Sequence, residues 1–345
     1  MQNHLVNERR ARVLALKQRL ADKVLVIDGA MGTAIQERNL TAEDFGGEDL
    51  DGCNENLVLT RPDVIQGVHE GYLKSGADIV ETNTFGATPL VLAEYGLQHK
   101  AVEINTAAVR LARAACEKYA TTDWPRFVAG SIGPTTKALS VTGGATFEEL
   151  LDTFYVQVKA LYDAGVDYFL LETCQDMRNV KAGLLAIERL FTTISKEDRI
   201  PVAVSLTIEP MGTMLGGQNV EAALASLEHT DLLYIGLNCA TGPEFMTDHI
   251  RTLSKYASMP VACVPNAGLP DENGKYLETP GMVAAALKRF GDNTWINVVG
   301  GCCGTHSGHI AELRKLADSL KPRTPVKTRR SVLSGVDPLE ITDEM

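Results

Sequence analysis

The 345-residue sequence lacks the features that would send a chain into a membrane, onto nucleic acid or out of the cell. No stretch approaches the ~20 consecutive apolar residues that cross a bilayer. The opening Met1-Gln-Asn-His-Leu-Val-Asn-Glu-Arg-Arg10 has no apolar core of the kind a secretory leader needs. No run of lysine and arginine is available to track phosphates, and the net charge is −11, which argues against nucleic acid as a partner. Cysteine is sparse and odd in number, seven in all, which is no disulfide framework and fits reduced thiols in a cytoplasmic protein. A dinucleotide loop is missing too: Asp28-Gly-Ala-Met-Gly32 lacks the G-x-G-x-x-G spacing that would open a doubly wound sheet.

What is present is a regular alternation. Short apolar runs occur at 24–28, 77–84, 127–131, 166–172, 201–207, 232–239, 260–266 and 296–301. They are rich in Val, Ile, Leu and Phe and nearly continuous, as strands buried on both faces are. Helix-like segments follow at 63–75, 97–119, 146–164, 179–190, 219–227, 242–256, 279–290 and 308–320. Eight such units predict a (β/α)8 barrel, with an open parallel sheet as the structural alternative. An amphipathic helix over 5–22, with Leu5, Val13, Leu14, Leu16 and Leu20 on its apolar side, leads in. The expected organisation is an N-terminal helix (1–23), the barrel (24–320) and a linker strap (321–345). The strap is basic, carries Pro322 and Pro325, and is expected to form no further element. Residues 39–56 form a long polar loop after the first strand, the position of an active-site loop.

Barrel enzymes build their sites at the C-terminal ends of the strands. Those ends read Asp28-Gly29, Glu81-Thr-Asn83, Gly130-Ser131, Glu172-Thr-Cys174, Asn238-Cys239, Pro265-Asn266 and Cys302-Cys303. Strands 6 and 8 flank one intervening strand, so their ends lie roughly 10 Å apart, and side chains from both can meet at one ion. Cys239, Cys302 and Cys303 are therefore candidate metal ligands. Gly300, Gly301 and Gly304 permit the bend that two adjacent ligands need. Sulfur donors favour zinc, and three of them leave one position open. His306 and His309 are alternative fourth ligands, and a redox role for the vicinal cysteines is a competing reading. Cys53, Cys116, Cys174 and Cys263 read as core residues.

Asp28 and Glu172 are the acidic candidates at the mouth. Facing one pocket, they would hold an ammonium or act as an acid–base pair. The backbone N–H groups of Gly29 and Ala30 could receive a carboxylate beside them. Asn83, Ser131 and Asn238 are further candidate substrate contacts. Ammonium and carboxylate sites beside a thiolate-rich metal suit an amino acid that carries sulfur.

Asp28-Gly-Ala-Met-Gly-Thr33, Gly52-Cys-Asn-Glu55, Glu81-Thr-Asn-Thr-Phe85, Asn238-Cys239 and Gly301-Cys-Cys-Gly304 together resemble the homocysteine-binding methyltransferase family, over about residues 10–320. Within the family, the segment from Gly52 to Asp63 looks like the N-terminal module of the cobalamin-dependent methionine synthases. The tail Leu333-Ser-Gly-Val-Asp-Pro-Leu-Glu340 is similar to the join towards a folate-binding module. The resemblance implies a zinc-bound barrel for L-homocysteine, with Cys239, Cys302 and Cys303 as ligands and with Asp28, the backbone after it and Glu172 holding the amino-acid end. It implies S-methylation to methionine, the methyl coming from methylcobalamin recharged by methyltetrahydrofolate on other modules. The chain has no Asp-x-His-x-x-Gly cobalamin motif, so it is expected to be a portion of such a protein. A free-standing relative would use S-methylmethionine or a betaine. Outside the family, the alternatives are a zinc hydrolase with Glu172 as base, or a zinc-stabilised interaction module.

Overall fold

In a computed structural model, which describes residues 2–327 and 330–342, each of the eight apolar runs contains or overlaps a parallel strand. These are β1 (Leu25–Val26), β2 (Ile79–Glu81), β3 (Phe127–Ile132), β4 (Tyr168–Cys174), β5 (Val202–Leu206), β6 (Leu232–Asn238), β7 (Val261–Val264) and β8 (Val298–Val299). Met1, Thr328, Arg329 and residues 343–345 lie outside the described residues. Neighbours in the sheet run from β1 through β8 and back down to β2. A parallel bridge between Ile27 and Ile79 joins its two ends and closes the (β/α)8 barrel.

Strand residues alternate between two environments, as period-2 geometry demands. Leu25, Ile27, Ile79, Phe127, Ala129, Tyr168, Leu170, Ala203, Tyr234, Ala262 and Val298 form one buried cluster inside the barrel. Val26, Val80, Val128, Phe169, Val204, Ile235 and Val299 belong to a second cluster, beneath the helices. Leu16 and Leu20 of the leading helix, Gln2–Asp22, join the inner cluster and so plug the N-terminal end of the barrel. Leu14, expected on the same apolar side, is 58% exposed and faces solvent.

The plugged end is fixed by polar groups set just before alternate strands. Asp78, Asp167 and Asn297 accept the backbone N–H of Val26, Val128 and Val261 at 2.8, 2.8 and 2.9 Å. Asp78 also receives Trp124 Nε1 and Arg314, each at 2.7 Å, and Asp167 receives Arg12 and Arg113, each at 2.7 Å. These buried acids are satisfied, so this end is built for stability.

The helices fall within a few residues of expectation, and their caps explain their starts. Thr146 and Glu149 form a capping box, and Asn219 accepts from Ala222 N–H. Two segments depart from the sequence reading. The strap, expected to carry no further element, contains an antiparallel hairpin, β9 (Val332–Ser334) and β10 (Pro338–Glu340). It packs on the helix Val220–Leu227 through Asn219–Asp337 and Ser334–Ala222 O bonds of 2.7 Å each. Strands of three residues show no readable alternation, which hid them. The 39–56 loop likewise carries short helical turns, at Ala42–Phe45, Glu48–Leu50 and Asn54–Asn56. Among the described residues no helix is long and apolar enough to cross a membrane.

Candidate active site and metal centre

At the open end of the barrel the three predicted cysteines come together. Their sulfurs all lie within 4.8 Å of one another, and those of Cys239 and Cys303 are 3.8 Å apart without a bond. β6 ends at Asn238, and the chain then turns through left-handed backbone at Cys239 (φ 63°) and Ala240 (φ 56°), which aims the first sulfur inward. After β8, Gly300 passes so close to β1 that a Cβ there would sit 2.3 Å from Ile27. Gly304 has φ 78°, and a Cβ on it would lie 2.2 Å from Tyr276. The bend that lets adjacent Cys302 and Cys303 face one point is pinned by Cys302 N–H to Pro265 O (2.8 Å) and Ala267 N–H to Cys303 O (2.9 Å).

Crowding splits the acidities of the thiols. Cys303 is drawn down to about 3, above all by hydrogen bonds from Cys239 and Cys302, with a further one from the Tyr276 hydroxyl. Cys302 is pushed well up by its contacts with Cys239 and Cys303. Three soft donors in one half-buried cluster fit a thiophilic divalent metal. Asn266, on the segment between the two cysteine-bearing loops, adds a buried Oδ1 without a hydrogen-bond partner among the described residues. His309 is committed elsewhere: its Nδ1 accepts His306 N–H (3.2 Å) and its Nε2 faces Glu278 O (2.9 Å). His306 is exposed, with its Nδ1 capping Gly308 N–H, and neither histidine belongs to the ligand cluster.

The cluster opens into a cavity of about 280 Å³. The inward alternation that builds the barrel core continues up the strands to Glu81, Ser131, Glu172, Ser205 and Asn238, and all but Ser205 line this cavity with Asp28, Gly29, Ala30 and Asn83. Asp28 Oδ2 accepts Glu81 N–H (3.1 Å), while Oδ1 is buried without a partner among the described residues. Ser131 Oγ donates to Glu172. Glu81 and Glu172 hydrogen-bond each other, which holds a proton between two carboxyls. Burial pushes all three acids up, Glu172 to about 7, and mutual repulsion adds to the rise at Asp28 and Glu81. Among the described residues no lysine or arginine lines the cavity, so this acidic wall has no internal cation.

Sequence reasoning singled out Asp28 and Glu172 but passed over Glu81. Its signal was the two-residue step from Ile79, which faces inward. Glu55 was missed as well. It lines the cavity from the 39–56 loop, and its carboxylate accepts Gly86 N–H at 2.7 Å. Asn83 donates to Asn54 O (2.8 Å), so that loop is tied to the mouth as a wall. Ala30 N–H is bonded to Thr305 Oγ1 (3.2 Å), which in turn donates to Cys302 O (2.7 Å).

The sequence profile of the homocysteine S-methyltransferase family matches residues 25–317. The chain belongs to this family. It is 42% identical over 301 residues to methionine synthase of Mycobacterium leprae, covering 86% of this chain but only 24% of that protein. The chain thus spans about a quarter of the length of that curated relative. Among solved structures, the metallated form of the homocysteine methyltransferase MmuM from Escherichia coli superposes with a TM-score of 0.70 at 25% identity, covering 85% of this chain and 96% of that one. Its oxidised form gives 0.69 at 24% identity over 85% and 95% of the two chains, which speaks for the fold. The cysteine cluster and the acidic wall thus occupy the mouth of a homocysteine S-methyltransferase barrel.

Proposed function

We propose that this chain binds L-homocysteine and activates its thiol for S-methylation to methionine. The observation that carries the reading is the juxtaposition, in one cavity, of three convergent thiols and three carboxyls, two of them buried and one half-buried, with no cation among the described residues that line it. Cys239, Cys302 and Cys303 would hold zinc, which when bound supplies an open position where a substrate thiol is deprotonated near neutral pH. Asp28, Glu81 and Glu172 orient the amino acid by taking its ammonium group, with the proton shared by Glu81 and Glu172 leaving as the cation arrives. Gly29 and the turn that follows it place backbone N–H groups for the substrate carboxylate.

The methyl donor we infer is methylcobalamin, carried with a folate-binding module on other parts of a longer protein. The identity to a methionine synthase supports this over S-methylmethionine or a betaine. The test uses the purified chain. Metal analysis is expected to find about one zinc per chain, and X-ray absorption a further sulfur on it when homocysteine is added. Methionine should form with free methylcobalamin as donor. An unchanged sulfur count on adding homocysteine would refute the reading.

A further inference from the structure

We propose that Asn238 is a positioning residue whose single amide group sets both the Cys302 sulfur and the backbone that carries Glu172. Asn238 closes β6, is 3% exposed, and immediately precedes Cys239. Its Oδ1 accepts the backbone N–H of Thr173 (2.9 Å) and Ser205 Oγ (2.7 Å). Its Nδ2 donates to Thr173 Oγ1 (2.8 Å) and contacts Cys302 Sγ at 3.9 Å. An asparagine side chain offers two donor and two acceptor sites, and here all four are used.

The direction of the amide is fixed by its partners. A backbone N–H can only donate, so the oxygen must face Thr173 and an N–H must face the sulfur. Cys302 Sγ therefore faces an amide N–H, which fixes its direction and polarises the sulfur. At the other end, Thr173 sits in left-handed backbone (φ 53°), a conformation costly for a β-branched residue. The two bonds to Asn238 hold it there, and Thr173 directly follows Glu172. One side chain thus couples the thiol cluster to the acidic wall. This gives Asn238 a different role from the substrate contact expected of it: although it lines the cavity, none of its polar capacity is left for a ligand.

The inference rests on the metal reading above, and the experiment separates the two. The protein is loaded with Co(II), whose thiolate charge-transfer absorption reports sulfur ligation without turnover. Wild type should show these bands; their absence would overturn the metal reading and this inference with it. With the bands present, Asn238→Asp, which keeps size and acceptor oxygens but loses the N–H, should bind metal about 10- to 100-fold more weakly, as loss of a supporting partner does. The bands should move to lower energy, because the sulfur is no longer polarised by a donor. Thr173→Val removes one anchor of the amide and should shift the bands in the same direction by less, with the fold checked by circular dichroism. Asn238→Asp with wild-type metal affinity and unmoved bands would overturn the assignment. So would a loss of thermal stability in both variants with no change in the bands.

Discussion

Cys239 and Cys303 hold their sulfurs 3.8 Å apart although 64 residues separate them and β7 lies between their strands. Both cysteines are unbonded and only half-buried, so a serine of similar size fits either loop. Replacing Cys239 or Cys303 by serine should therefore leave folding of the metal-free chain within about 1 kcal/mol while abolishing stoichiometric zinc binding. Atomic absorption on dialysed protein, with thermal melts of the chelated forms, measures both. Zinc retained by the Cys303→Ser protein would contradict the assignment.

The acidic wall predicts how substrate affinity depends on pH. Burial pushes Glu172 up to about 7, which favours its neutral form below that pH. An incoming ammonium favours ionised carboxyls, so binding expels a proton. In the zinc-free chain, where no thiol proton is lost to the metal, affinity for homocysteine should rise as pH increases towards about 7, with protons released by the acidic wall on binding. Calorimetry in buffers of differing ionisation enthalpy reads this release directly. Glu172→Gln should weaken binding by at least about 30-fold, corresponding to ~2 kcal/mol for a lost buried charge partner.

Away from the site, His69 is fully buried with neither ring nitrogen partnered among the described residues, and burial draws it down to about 4. The folded state then binds fewer protons than the unfolded chain, whose histidines titrate near 6.5. Stability should be intact above pH 6.5 and fall as pH drops through 6.5 towards 4, by ~3 kcal/mol at the lower limit. Denaturant melts of His69→Leu across that range should lack this slope. A variant that still shows it would place the acid sensitivity elsewhere.

Asp78 gives a prediction for the plugged end. Its carboxylate takes Val26 N–H, Trp124 and Arg314, a guanidinium only 13% exposed. Asp78→Ala leaves Val26 N–H and Trp124 Nε1 without their acceptor and Arg314 with only Asp318, and should cost about 3–5 kcal/mol of unfolding free energy. Asp78→Asn, which keeps an acceptor oxygen for Val26, should cost less. Equal losses would mean that the charge itself contributes little.

Much of this architecture was readable before any coordinate. The eight strands were legible because each is a short apolar run with no amphipathic break, which only burial on both faces explains. The thiol cluster was legible because three cysteines closed two strands among glycines. Asp28 and Glu172 stood out as acids directly after apolar residues. Glu81 did not, because β2 is three residues long and its inward phase is set by Ile79 alone. Asn238 was singled out as a substrate contact, but the positioning role proposed for it, like Glu55, depends on contacts across 64 and 31 residues respectively, which no local pattern encodes. The hairpin in the tail was lost for the opposite reason: its strands are too short to carry a period.

The plug made by Leu16 and Leu20 has a kinetic meaning. A barrel stoppered at one end has a single doorway, and the thiols lie at the inner side of it. On the function proposed above, homocysteine and whatever delivers the methyl group would share that opening, the smaller molecule reaching deeper. Turnover should therefore follow a compulsory order, with homocysteine entering ahead of the methyl carrier and methionine leaving only after the carrier has withdrawn.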